Sequence, residues 1–154
     1  MATDAHTDTL EGRLRSAQLK VTAPRLAVLE AVSSPGHHDA ETVYSMVSTQ
    51  LPKTSLQAVY GVLAALVAAG LVRKFEPAGS AALYESRVGD NHHHVACLEC
   101  GRVEDVDCAI GASPCLTPSN TNGFSIQIAE VTFWGVCASC QAAAASTALA
   151  VPSK

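Results

Sequence analysis

The sequence predicts an α+β fold in two modules, a helical N-terminal half followed by a strand-rich C-terminal half. Three observations carry this. Apolar residues recur at three- and four-residue steps as far as Ala69 and at two-residue steps in the second half. Charge divides the same way: Leu10 to Phe75 holds seven basic and four acidic residues, a net +3, whereas Arg87 to Lys154 holds three basic and six acidic, a net −3. The chemistry-bearing side chains divide too, since all six cysteines lie beyond residue 96 and three of the six histidines are residues 92 to 94. The polar, turn-like SRVGDN stretch from Ser86 to Asn91 marks the boundary, giving modules 1–86 and 87–154.

Residues Asp8 to Ala17 allow a short first helix. Thr22 then reads as an N-cap, with Pro24 inside the first turn and Leu26, Leu29, Ala31 and Val32 at helical spacing. Pro35-Gly36 stops that helix. Asp39 caps the next, whose apolar face is Val43, Met46, Val47 and Leu51, and Pro52 ends it. Ser55 opens the strongest helix, Ser55 to Ala69, with Val59, Val62, Leu63, Leu66 and Val67 recurring on one side and Gly70 at its C-terminal end. LVRKFEP and ALYES read as two short strands joined by Pro77 to Ser80. Three helices and a β-hairpin are the order of a winged helix-turn-helix, in which the third helix of the core enters the DNA major groove. A small helical domain with a surface hairpin and no nucleic-acid role fits the same pattern. The early residues Ser55 and Gln57 suit base edges, and Tyr60 suits a thymine methyl or a phosphate.

In the second half, HVACLECGRVEDVD reads as strand, tight turn, strand. Phe124 to Ile128 and Val131 to Trp134 read as two more strands, Gly111 to Gly123 as loop, and Gln141 to Leu149 as a terminal helix. A small sheet with one apolar face stands poorly alone, so a dimer is expected to cover it. These elements suit an α+β chain in which a winged helix-turn-helix domain, or a small helical domain with a surface hairpin, precedes a small α/β dimerisation domain.

Composition bounds the function. A hydrophobic fraction of 48% excludes a disordered chain. No apolar run reaches the roughly 18 residues of a membrane span, and the N-terminal residues lack the pattern of a secretory signal, so a cytoplasmic protein is expected. The formal net charge of −4 argues against nucleic acid only as an average over a positive and a negative half.

Cys97 with Cys100 and Cys137 with Cys140 form two CxxC pairs. Four thiolates are the tetrahedral set of a structural Zn(II). Two disulfides or a redox dithiol are the competing readings. Cys108 and Cys115, in the loop-like stretch, are either small apolar fillers or a pair of redox thiols. His92 and His94 stand two apart at the start of a strand and share a face, with His93 on the other. With Glu85, Asp105 and His37 they make a set that suits Fe(II), Mn(II) or Zn(II). A zinc hydrolase is disfavoured, because four cysteines leave no open position for water. No Ser–His–Asp or phosphate-loop pattern supports another enzyme.

The segments Lys20 to Arg25 (KVTAPR), His37 to Glu41 (HHDAE), Gln57 to Leu63, Gly70 to Val72, His92 to Gly101 and Trp134 to Cys140 resemble, in order, the motifs of the ferric uptake regulator family. The resemblance runs from about Leu10 to Cys140. Tyr84 to His94 and Asp105 to Cys108 are most similar to its actinobacterial branch, whose members repress catalase or catalase-peroxidase genes, often with their own gene. The resemblance implies a homodimeric repressor on double-stranded operator DNA, with structural zinc on Cys97, Cys100, Cys137 and Cys140. It implies a regulatory Fe(II) or Mn(II) on His37, Glu85, His92, His94 and Asp105. Lys20, Arg25, Ser55, Gln57 and Tyr60 would serve DNA, with Lys20 in the minor groove. Gly61 stands where the family often has a recognition arginine. Asp105 matches the family's peroxide sensors, whereas Glu85 stands where those sensors carry Asp. An iron- or zinc-responsive repressor of metal uptake, without redox sensing, is the alternative. No histidine follows residue 94, so the family's additional metal site is expected to be absent or weakened.

Overall fold

A computed structural model describes residues 9–90, 92–107, 118–127 and 129–149. The chain divides between Gly89 and Asp90 into two compact units. The first holds α1 (Leu10–Ser16), α2 (Ala23–Ser33), β1 (His38–Asp39), α3 (Ala40–Gln50), α4 (Leu56–Ala68), β2 (Arg73–Phe75) and β3 (Leu83–Glu85). The second holds β4 (His92–Cys97), β5 (Val103–Asp107), β6 (Thr132–Gly135) and α5 (Ala138–Leu149).

The helix starts of the first unit follow local chemistry. Thr9, Asp39 and Ser55 each turn an oxygen back to accept from the backbone N–H three residues on, at 3.0, 2.7 and 3.2 Å. Ser55 is thus the cap of α4 rather than its first helical residue. Thr22 sits at the cap position of α2, but its side chain makes no cap bond. Pro24 lies in the first turn of α2, where a missing N–H costs nothing. The apolar stripes converge on a core in which Leu14, Leu29, Leu63 and Leu66 are wholly buried with Val43 and Val47. Each such leucine contributes roughly 1.5–3 kcal/mol by leaving water. Met46, expected on the same face of α3, is 36% exposed.

The hairpin is present as predicted. Strand β3 is central, pairing antiparallel with β2 and with β1, a two-residue strand too short to leave a periodic signal. The three-helix core and flanking hairpin make the first unit a winged helix-turn-helix.

In the second unit β4 is central, antiparallel to β5 and parallel to β6. Parallel pairing needs a long crossover, which the chain between β5 and β6 supplies. Phe124 to Gln127 form no strand, and Ile128 lies outside the described residues. Their period-two pattern has no partner in this sheet, which leaves Phe124 73% exposed. Helix α5 begins at Ala138, not Gln141, which places Cys140 in its first turn. Among the described residues, no helix is long and apolar enough to cross a membrane.

Candidate metal centres and nucleic-acid face

The parallel pairing of β4 and β6 decides where the cysteines meet. It sets Cys97 opposite Gly135, so both CxxC pairs leave the sheet at the same end. An antiparallel β6 would send Cys137 and Cys140 to the far end. The first pair closes in a tight turn, with the Gly101 N–H donating to the Cys97 carbonyl at 3.0 Å and Gly101 at φ +72°. The four sulfurs lie within 4.8 Å of one another, and Cys100 Sγ is 3.8 Å from Cys137 Sγ. A tetrahedral ion with bonds of about 2.3 Å has sulfur–sulfur edges of about 3.8 Å, so the donor set fits Zn(II).

The thiols share few protons comfortably. A hydrogen bond from the Ser139 hydroxyl, 3.3 Å away, is the largest influence lowering Cys137 to about 6. Cys97 is lowered chiefly by the Cys137 backbone N–H, which donates to its sulfur at 3.3 Å. Cys140 is pushed up to about 12, first by its hydrogen bond to Cys137 and then by that to Cys100. The first thiolates form easily and the last resists, and a dication removes that conflict. All four are free of disulfide bonds. Cys108 and Cys115, the candidate redox thiols, lie outside the described residues.

The His/carboxylate residues fall in both units. In the first, His37 Nε2 is 3.1 Å from Glu85 Oε2, close to the roughly 3 Å between adjacent donors of an octahedral ion. Glu85 is 3% exposed, and Arg73, its register partner on β2, brings Nε to 3.7 Å of Oε1. Phe75 supports the His37 ring edge-on at 5.3 Å. His38 is turned elsewhere: its Nε2 lies 2.9 Å from Ser34 Oγ at the end of α2.

In the second unit His92 and His94 share a face of β4, their rings edge-to-face at 5.1 Å, while His93 points oppositely against Phe133. Asp105 is the register partner of His94 on β5. Its Oδ1 lies 3.7 Å from His94 Nε2 and 3.9 Å from His92 Nε2. Two carboxylates were not singled out by the sequence. Asp107 pairs with His92 and so shares its face. Asp90 places Oδ1 2.7 Å from His92 Nδ1. A carboxylate two residues ahead of a histidine carries no periodic signal by which to find it.

The residues proposed for DNA are all in the first unit. Lys20, Ser55, Gln57 and Tyr60 are exposed, and the Cβ direction of Gly61 meets nothing within 4 Å. Helix α4 therefore presents an open, uncharged polar face. Arg25 is half-buried and donates from Nη1 to the Lys20 carbonyl at 2.9 Å, so it also pins the loop that carries Lys20.

A winged helix-turn-helix joined to a sheet bearing a tetrathiol cluster and His/carboxylate donors defines the metal-linked transcriptional regulators. The chain belongs to the ferric uptake regulator family, whose match covers residues 16–133. It is 59% identical over 128 residues, 83% of this chain and 87% of the other, to the transcriptional regulator FurA of Mycobacterium tuberculosis. Among solved structures it resembles the Vibrio cholerae ferric uptake regulator, with 28% identity, TM-score 0.63, and 82% and 98% of the two chains covered. It also resembles the Pseudomonas aeruginosa ferric uptake regulator with manganese, with 26% identity, TM-score 0.64, and 84% and 98% covered. The protein is thus a DNA-binding transcriptional regulator and not an enzyme.

Proposed function

We propose that this regulator is a metal-dependent, peroxide-responsive repressor. It binds double-stranded operator DNA as a homodimer in the cytoplasm and controls a catalase or catalase-peroxidase gene together with its own. The carrying observation is the donor chemistry. His37 with Glu85 in the first unit, and His92 and His94 with Asp105 in the second, are nitrogen and carboxylate donors of the kind Fe(II) and Mn(II) take. Zn(II) holds the four-thiol cluster as a structural ion.

One ion taking ligands from both sets would fix the angle between the units, and only one angle would let two α4 helices of a dimer meet successive major grooves. Lys20 reaches for the minor groove, Arg25 steadies its loop, and Ser55, Gln57 and Tyr60 face the major groove. Phe133 and Trp134 of β6, exposed on opposite faces, leave apolar surface on each side of the sheet, which supports a second copy as the cover of one side. Low positive charge predicts weak non-specific affinity, so tight binding depends on this geometry.

Fe(II) held by these residues would supply the redox chemistry that activates peroxide, ending as Fe(II) with no net change. The imidazole of His37 or His92 would exchange a ring C–H for C–OH as hydrogen peroxide is reduced to water, a two-electron change on each side, and the altered ring would no longer hold the clamp. Operator binding measured with Fe(II) and with Mn(II), before and after peroxide, tests this. The expected result is loss with Fe(II) alone and a one-oxygen mass gain on a histidine peptide. Equal loss with both metals, with a disulfide formed, overturns the iron-centred reading and favours Cys108 and Cys115. Glu85 favours a second reading, an iron- or zinc-responsive repressor of uptake genes, identified by a response to metal supply without one to peroxide.

A further inference from the structure

We propose that Asp90 is a positioning residue that fixes the tautomer and orientation of His92, so that Nε2 is the nitrogen offered to the regulatory ion. The proposal rests on the metal reading above for His92 and concerns a residue which that reading does not use.

The His92 side chain is wholly buried, and its Nδ1 lies 2.7 Å from Asp90 Oδ1. An ionised carboxylate only accepts, so a contact this short puts the hydrogen on Nδ1. A neutral imidazole carries one N–H, so Nε2 is left as a lone-pair donor. Nε2 is also the nitrogen that faces Asp105, at 3.9 Å, beside the His94 ring. A lone pair on Nε2 turned towards a carboxylate is repelled by it unless a cation lies between them. An unsupported imidazole favours hydrogen on Nε2, the wrong arrangement for this job, and Asp90 reverses that preference. Gly89, immediately ahead of Asp90, is at φ +80°, a backbone conformation that side-chain-bearing residues rarely adopt. A carboxylate behind a ligating histidine raises its basicity and holds its ring, and losing one typically weakens metal binding about 10–100-fold.

The test uses the full chain, with Mn(II) as the titrated probe. Long-range proton–nitrogen NMR of the manganese-free protein should show His92 protonated on Nδ1. In Asp90→Ala the Nε2–H form should appear, with Mn(II) affinity falling about tenfold or more. Asp90→Asn, whose Oδ1 still accepts from Nδ1–H, should keep the tautomer and much of the affinity. A purely structural role for Asp90 would leave the tautomer unmoved. Wild-type His92 protonated on Nε2 overturns the proposal without any variant, and so does unchanged affinity in Asp90→Ala. His92→Ala separates the two readings. If it leaves Mn(II) affinity intact, the metal reading fails; if it weakens binding while Asp90→Ala does not, only the positioning role fails.

Discussion

The helical unit buries Leu14, Leu29, Leu63 and Leu66 completely, whereas the described residues of the sheet unit bury His92, His93, His94, Ala96 and Cys97 and expose Leu98, Phe133 and Trp134. One unit is held by an ordinary apolar core. Among the described residues, the other puts polar donors where a core would be and leaves Leu98, Phe133 and Trp134 outside. Under the proposed function, bound ions and a covering partner would supply the stability such a sheet lacks, which would link its folding to its ligands in a way that the helical unit's is not.

Removing zinc from the four cysteines should have the widest effect and should strike the sheet unit alone. Cys100→Ser, or zinc chelation, should abolish hydrogen-exchange protection across β4 to β6 while α2 to α4 keep theirs. Structural zinc contributes on the order of 10–16 kcal/mol in small domains. Equal protection in both units after chelation would remove the distinction. Next in size, Leu63→Ala should destabilise the helical unit by about 2–5 kcal/mol and leave the cysteine cluster's metal content unchanged, as read by thermal melts and metal analysis. The smallest effect is at the Asp39 cap. The Thr42 side chain, then its backbone N–H, hold this carboxyl below its ordinary value of 3.8. A depressed folded value means that the contribution is complete above the ordinary range and is lost as pH falls through the folded one. Asp39→Ala should cost about 1 kcal/mol near neutrality. The difference from wild type should shrink in acid, measured by urea melts across pH.

What the residues disclosed in advance was what short range decides. The caps at Asp39 and Ser55, the stripe Val59, Leu63, Leu66, the CxxC pairs and the shared face of His92 and His94 each depend on neighbours within a few residues. Strand β1 escaped because two residues cannot show a period. Pairing direction escaped because β4 and β6 are joined by a long crossover, and either orientation satisfies their alternation. At Phe124 and Ile126 the alternation is real, but it states which side chains seek cover and not what supplies it. Asp90 escaped because a side-chain contact with His92 leaves no periodic trace in the sequence.

Strand β4 carries His92 and His94 on one face and Cys97 on the other, only three residues beyond His94. Side chains alternate strictly along a strand. Inserting or deleting one residue between His94 and Cys97 would turn one donor set to the wrong side, whatever the inserted residue. Substitutions here are matters of degree, but a change of length is all or nothing: the spacing of this segment is as much a part of the regulator as the identity of its ligands.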